Sequence, residues 1–165
     1  MKREYKSGTG WCAWRWTYTP SGYITRLHVL KTPWFAVMLH WINGPDPEPD
    51  KHDHPVTFLS LILRGGYTED VLEHRSGECE VDFHGPVPHV RRWFNFIRAG
   101  EHVHRITHVR PNTLTLCFVG PKVREWGFHT AEGWIPWHEY NKKYKHRQVN
   151  AGLKRMCTER DKAMG

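Results

Sequence analysis

Seven short runs rich in β-branched and aromatic residues, most of them closed by glycine, proline or asparagine, restrict this chain to an antiparallel all-β fold. They are Tyr23–Leu30, Trp34–Trp41, Val56–Arg64, Tyr67–Leu72, Arg92–Arg98, His102–Val109 and Thr113–Val119. Lys31-Thr32-Pro33, Ala99-Gly100 and Arg110-Pro111-Asn112 break the series, and His74 to Pro88 reads as a longer polar connection. Pro45, Pro47 and Pro49 make Asn43–Asp50 a loop, because proline cannot donate to a central ladder. Such spacing points to a sandwich or barrel. Gly65-Gly66 is a two-residue hairpin signal, since both positions tolerate positive φ. That hairpin would pair Tyr67 with Arg64, Glu69 with Ile62 and Glu73 with Phe58. A turn at Pro111-Asn112 would likewise set Val119 opposite His104 and Cys117 opposite Ile106.

A length of 165 residues suits one hydrophobic core. Residues 1–22, with Trp11, Trp14 and Trp16, read as an aromatic arm or edge strand, 23–140 as the barrel and 141–165 as a basic helical tail. The longest apolar run, Phe58 to Leu63, is strand-sized and holds Ser60, so no membrane span is expected. The N-terminus lacks the apolar core of a secretory signal. Cys12, Cys79, Cys117 and Cys157 are far apart, against a zinc ribbon or disulfide scaffold, and a cytoplasmic setting is expected. The net charge of +7 raises the question of nucleic acid, but it is concentrated in the tail. From Glu139 onward eight basic residues face three acidic ones, and tails of this kind are usually solvated faces.

Thirteen histidines and nine tryptophans are the unusual part of the composition. His52 and His54 open the Val56 strand. Side chains alternate along a strand, so both imidazoles face one way and Asp53 the other. Two imidazoles at this spacing can grip one cation. A third ligand is available from His102-Val103-His104, where the same spacing recurs, and periodicity alone leaves His102 and His104 equal. Glu69 and Glu73 share the parity of the two histidines by hairpin counting. However, His54 to Ile62 spans roughly 26 Å at about 3.3 Å per residue, which disfavours Glu69 as a ligand. Glu69 is expected instead to serve catalysis or structure. Arg124, Trp126, Glu73 and His102 are candidates for substrate binding, the arginine through an anionic group and the indole through stacking. Arg124-Glu125 as an ion pair and Trp126 as a lid on the core are the structural alternatives. Arg26 and His40 can reach the interior from the early strands.

His52-Asp53-His54-Pro55-Val56-Thr57-Phe58 through Gly65-Gly66-Tyr67-Thr68-Glu69 resembles a branch of small cupins in bacteria and phages. Its pattern is HDHPWxFxSxxLxGGYxE, then an HR pair, REWGF and GW-x-PW-x-x-Y. The later pieces here are His104-Arg105, Arg124-Glu125-Trp126-Gly127-Phe128 and Gly133-Trp134-Ile135-Pro136-Trp137-His138-Glu139-Tyr140. The resemblance covers Tyr23 to Tyr140. It implies a jelly-roll barrel enclosing a metal and, through the HR position, favours His104 over His102. Two departures stand out: Val56 replaces the branch's aromatic, and the glutamate that cupins usually carry soon after the second histidine is missing from Val56–Ser60.

These readings imply one divalent transition metal (Fe, Zn, Mn, Ni or Cu) on His52, His54 and His104. The three-histidine set resembles that of the thiol dioxygenase cupins, which use ferrous iron. The leading expectation is a metal-dependent enzyme on a small polar or anionic substrate, either a ferrous dioxygenase or a sugar-type isomerase, epimerase or lyase. A non-catalytic small-molecule-binding module is the alternative, and a binder of nucleic acid or an acidic partner through the tail comes third. Homodimerisation is expected by analogy with the superfamily.

Overall fold

The computed structural model describes residues 12–19, 22–72 and 87–144. Its twelve described strands are β1 (Cys12–Tyr18), β2 (Ile24–Lys31), β3 (Ala36–Ile42), β4 (Lys51–His52), β5 (Val56–Arg64), β6 (Tyr67–Val71), β7 (Val87–Arg91), β8 (Phe94–Ile97), β9 (His104–Val109), β10 (Thr113–Lys122), β11 (Gly127–Thr130) and β12 (Gly133–Pro136). A helix, α1, covers 137–144.

The strands form two six-stranded sheets, ordered β1-β2-β3-β10-β5-β8 and β12-β11-β4-β9-β6-β7. Within them, β3-β10-β5-β8 faces β4-β9-β6-β7, and nearly every connection carries the chain from one sheet to the other. This is the eight-stranded jelly roll, closed to an antiparallel barrel. β1 and β2 extend one sheet, with β1 at its edge, and β11 and β12 extend the other.

The sheet alternation corrects two expected hairpins. β5 and β6 do not pair: β5 lies between β10 and β8, and β6 between β7 and β9. Gly65-Gly66 is instead the corner between the sheets, with φ of 80° and 120°. A Cβ on Gly65 would stand 2.4 Å from Thr113 Oγ1, and one on Gly66 would stand 2.5 Å from the Arg91 carbonyl oxygen. Thr113 closes the corner by accepting from the Gly66 N–H and donating to its carbonyl. The turn at Pro111-Asn112 also changes sheets, so Cys117 lies opposite Met38 and Ser60 rather than Ile106. Local sequence encodes a reversal at both places, and the apolar face of each strand decides which sheet it joins.

Besides β1, four strands lie outside the seven expected runs, the first of them the two-residue β4 after the proline-rich loop. β7 begins inside the polar connection, and β11 and β12 occupy the REWGF and GW-x-PW segments. α1 starts at 137, four residues before the expected tail helix. Glu73 and the tail beyond 144 lie outside the described residues. No helix among those described is long and apolar enough to cross a membrane.

Ile24, Ile42, Ile62, Tyr67 and Ile106 form the apolar core, with Tyr23 and Val109 packed against it. Each such aliphatic side chain contributes about 1.5–3 kcal/mol on burial. The rest of the interior is unusually polar, with His28, Ser60, Glu69, Asn95, His104, Thr113 and Thr115 all buried. Apolar groups cannot satisfy these atoms, so the second half of the interior is organised around hydrogen bonds.

Candidate metal centre

β4 is only two residues long, yet it sits between β9 and β11 and fixes the first histidine. His52 lies directly opposite His104 on one side and Phe128 on the other. The chain then leaves the ladder, and His54 points to the same face. One nitrogen from each of His52, His54 and His104 falls within 4.8 Å of the other two. Nε2 of His54 and Nε2 of His104 are 2.8 Å apart. Imidazoles bound to one metal at about 2.0–2.1 Å bring their nitrogens to a comparable separation. The three rings pack at centroid distances of 5.0 Å in every pair.

Burial keeps these rings receptive. Desolvation lowers the pKa of His52 to about 4, against the raising influence of Asp46. The same cause, reinforced by the neighbouring imidazoles, holds His54 well below the ordinary range. A neutral ring keeps a lone pair for a metal, whereas a protonated one does not. The Asp46 carboxylate lies 3.8 Å from Nδ1 of His52 and accepts the Ile106 N–H at 2.7 Å, so it is itself held in place.

Glu69 approaches from the other edge of the His104 ring. Its Oε2 is 2.5 Å from His104 Nδ1, and no part of its side chain is exposed. Arg91 Nε donates to Oε1 at 2.7 Å, and Asn95 Nδ2 donates to Oε1 and Oε2 at 3.1 and 3.0 Å. Burial alone would raise the carboxyl pKa, but contacts with His102, His104 and Arg91 outweigh it and hold Glu69 far below the usual carboxylate range. An ionised carboxylate only accepts, so the hydrogen lies on His104 Nδ1. In the neutral ring the lone pair is then on Nε2, facing His54. The extended-chain distance argument against Glu69 fails because β5 and β6 are not a hairpin. Glu69 reaches the centre through β6–β9 pairing, where it lies opposite Ile106.

His102 lies beside the cluster rather than in it. Its ring packs against His104 at 4.8 Å, and its Nε2 is 3.4 Å from Glu69 Oε1 without hydrogen-bond alignment. Glu69, His102 and His104 form a second group of converging donor atoms. That group would use the side of His104 already engaged by the carboxylate. The stretch Val56–Ser60, which the resemblance led one to expect would hold a glutamate, carries Phe58 instead, whose ring stands edge-on to His54 at 5.1 Å.

Arg124 and Trp126 serve the loop that carries the histidines. Arg124 Nη1 is 2.9 Å from Asp53 Oδ2, in place of the expected pair with Glu125. Asp53 also accepts from the Gly127 N–H at 2.8 Å and the Trp134 indole at 3.1 Å. It is 1% exposed and faces away from the histidines, as the alternation requires. Glu125 pairs with Lys122 and accepts from the Trp137 indole. Trp126 stands edge-on to His52 at 6.0 Å and stacks on Trp137 at 5.9 Å. Tyr140 on α1 stacks on Phe128 and donates to Asp50 at 2.6 Å, which clamps the helix over the loop before β4. The aromatic motifs late in the chain therefore position His52-Asp53-His54. Sequence reasoning misses Arg91, Asn95 and Asp46, which only strand pairing brings to the site. Asp53 is legible as an outward residue but not as the point where four segments meet.

No protein-family model matches the chain, and no curated protein matches it by sequence. Solved structures of similar outline include a Streptomyces PAC13 variant with uridine (10% identity, TM-score 0.47, covering 83% of this chain and 98% of that one). KdgF from Halomonas sp. is 13% identical, with a TM-score of 0.44 and coverage of 66% and 89%. The DMSP lyase DddQ from Ruegeria pomeroyi DSS-3 is 12% identical, with a TM-score of 0.44 and coverage of 67% and 57%. At these values the likeness adds nothing to the fold read from the strand order.

Proposed function

We propose that the chain is a metal-dependent cupin enzyme in which His52, His54 and His104 hold one divalent transition metal that acts on a small polar or anionic molecule. The observation that carries this reading is the convergence of three imidazole nitrogens inside the barrel, one of them oriented by a buried carboxylate. Carboxylate–imidazole pairs of this kind fix the tautomer of a ligating histidine and raise its basicity. The donor set suits iron, zinc, copper or nickel, with manganese less favoured by an all-nitrogen set.

When bound, such a metal supplies Lewis-acid polarisation or a coordination point for substrate. Three protein ligands leave further positions open for it. The chain's own residues do the rest. Glu69 acts as a positioning residue, not as the proton carrier its place in the sequence suggests, because both of its oxygens are engaged and its ionised form is strongly preferred. Trp126 and Phe58 wall the site and limit water around the imidazoles. His102, beside the cluster and half-buried, is the side chain best placed to exchange a proton with a bound molecule.

The test is turnover by protein loaded separately with ferrous iron, zinc or manganese, beside His54→Ala. Oxygen uptake with thiol substrates reads the dioxygenase version, and isomerisation or elimination of sugar acids and sugar phosphates reads the other. Activity in the wild type that disappears in His54→Ala supports the reading. Metal-loaded protein inert throughout, with His54→Ala losing only thermal stability, moves the assignment to a binding module.

A further inference from the structure

Across the barrel from the histidine triad, the β1-β2-β3-β10-β5-β8 sheet presents a second set of interior polar groups. Arg26 on β2 lies directly opposite His40 on β3, and His40 lies opposite Thr115 on β10. Directly opposed residues in an antiparallel ladder share a face. Thr115 and Cys117 are both buried, and Cys117 Sγ lies 3.5 Å from His40 Nδ1 and from Ser60 Oγ. Arg26, His40, Thr115, Cys117 and Ser60 therefore line one wall of the interior.

The charge on this wall has one sign. Among the described residues no carboxylate forms an ion pair with Arg26, although the side chain is half-buried. The other nitrogen of His40, Nε2, is cut off from solvent and has no hydrogen-bond partner among the described residues, and the same holds for Nδ1 of His28. Burying an arginine without a counter-charge is costly, and a buried unpaired donor costs about 1–3 kcal/mol. Natural interiors tolerate such groups where a ligand completes them. Arg26 is also close enough to the centre for its charge to bear on His54, as well as on His40 and Cys117. The unpaired cation and the candidate metal site thus face one space from opposite sheets.

We propose that Arg26, backed by His40, binds the anionic group of the substrate, a carboxylate or phosphate, while the opposite end of the same molecule reaches the metal. The proposal rests on the metal-centre reading for the second half only. A guanidinium suits the task because its planar fork matches two oxygens of a carboxylate or phosphate. His40, protonated at whichever nitrogen faces the ligand, adds one further donor. Small neutral molecules would leave the arginine unpaired and bind more weakly. The substrate class is therefore a compact carboxylic acid or phosphate ester, short enough to fit between facing sheets about 10 Å apart.

The test titrates zinc-loaded, untagged protein with inorganic phosphate and with malonate. The readouts are the ring nitrogen signals of His40 by NMR and the melting temperature, with zinc content measured on every sample. The proposal expects saturable binding of at least one anion. It expects at least tenfold weaker binding in Arg26→Gln, partial retention in Arg26→Lys, a smaller loss in His40→Gln, and zinc unchanged in all three. Neither anion binding to the wild type, or Arg26→Gln binding as tightly as wild type, overturns it. If Arg26→Gln does not fold, Arg26→Lys and His40→Gln decide the matter, and wild-type affinity in both overturns the proposal. A wild type that takes up no zinc overturns the metal reading instead. The titration is then read on the metal-free protein, where weaker binding in Arg26→Gln supports the anion site and unchanged binding overturns it.

Discussion

Glu69 Oε2 and His104 Nδ1 stand 2.5 Å apart across the β6–β9 pair, so a fully buried carboxylate holds the His104 ring from the edge away from His54. The glutamate that the resemblance leads one to expect after His54 is not there, and the buried glutamate of the interior, Glu69, contacts His104 instead. This relationship fixes the orientation of one ring of the three-histidine cluster while leaving the carboxylate on the far side of that ring.

Glu69→Gln preserves shape but replaces the charge-assisted bond to His104 and lets an amide donor face Arg91 or the imidazole. Metal affinity should fall about 10- to 100-fold, the usual effect of losing such a partner. Competition with a calibrated chelator measures it. An affinity within about twofold of wild type would show that Glu69 does not orient His104.

Asp53→Ala should lower stability by about 2–3 kcal/mol. It strips acceptors from the Gly127 N–H, the Trp134 indole and the half-exposed Arg124. At the size of this chain that corresponds to about 4–12 °C in melting temperature. Because the same loop carries His52 and His54, metal retention should fall together with stability. Thermal unfolding with and without zinc separates the two effects.

The metal-free protein should lose stability as pH falls from neutrality. Desolvation chiefly lowers the His40 pKa to about 3, while in the unfolded chain the ring titrates near 6.5. Below 6.5 the unfolded state takes up a proton that the folded state refuses, so stability present above 6.5 declines as pH falls toward 3. Its slope for one such group approaches about 1.4 kcal/mol per pH unit. His28 and His52, both lowered to about 4, act in the same direction. Glu69, with its folded pKa depressed, adds a further loss only below about 4.3. Urea unfolding at pH 5, 6 and 7 should show a shallower slope for His40→Gln than for wild type. Equal slopes would mean that His40 does not stay neutral in the folded protein.

Gly66→Ala should cost about 2–3 kcal/mol, since the new Cβ would meet the Arg91 carbonyl at 2.5 Å with φ at 120°. Urea unfolding of the variant measures the cost, and a loss below about 0.5 kcal/mol would contradict the close approach of Gly66 to Arg91.

The strand run Val56–Arg64 is legible to the residue, and β2, β3, β6, β9 and β10 are placed within about three residues at each end, because their apolar alternation is strong. The pairing of those strands is not legible. Gly65-Gly66 fits a hairpin and a corner equally well on local chemistry, and the choice depends on which sheet buries Ile62 and which buries Tyr67. The error propagates to the site, since a hairpin judges Glu69 by distance along β5 rather than by its register with β9. His52 and His54 are visible because their spacing is local. Arg91, Asn95 and Asp46 carry no local signal, and β11 and β12, at four residues each, are too short to show an alternation. The late aromatic motifs are recognisable, but their task of holding Asp53 depends on contacts across more than 70 residues.

The most direct test of the metal centre is elemental analysis of untagged wild type, His54→Ala, His104→Ala and His102→Ala after loading with zinc or ferrous iron. The three-histidine site predicts about one equivalent of metal in the wild type and in His102→Ala, and its loss in the other two. Metal absent from the wild type would contradict it. So would metal lost from His102→Ala but kept by His54→Ala, which would place the ion on the Glu69, His102 and His104 group instead.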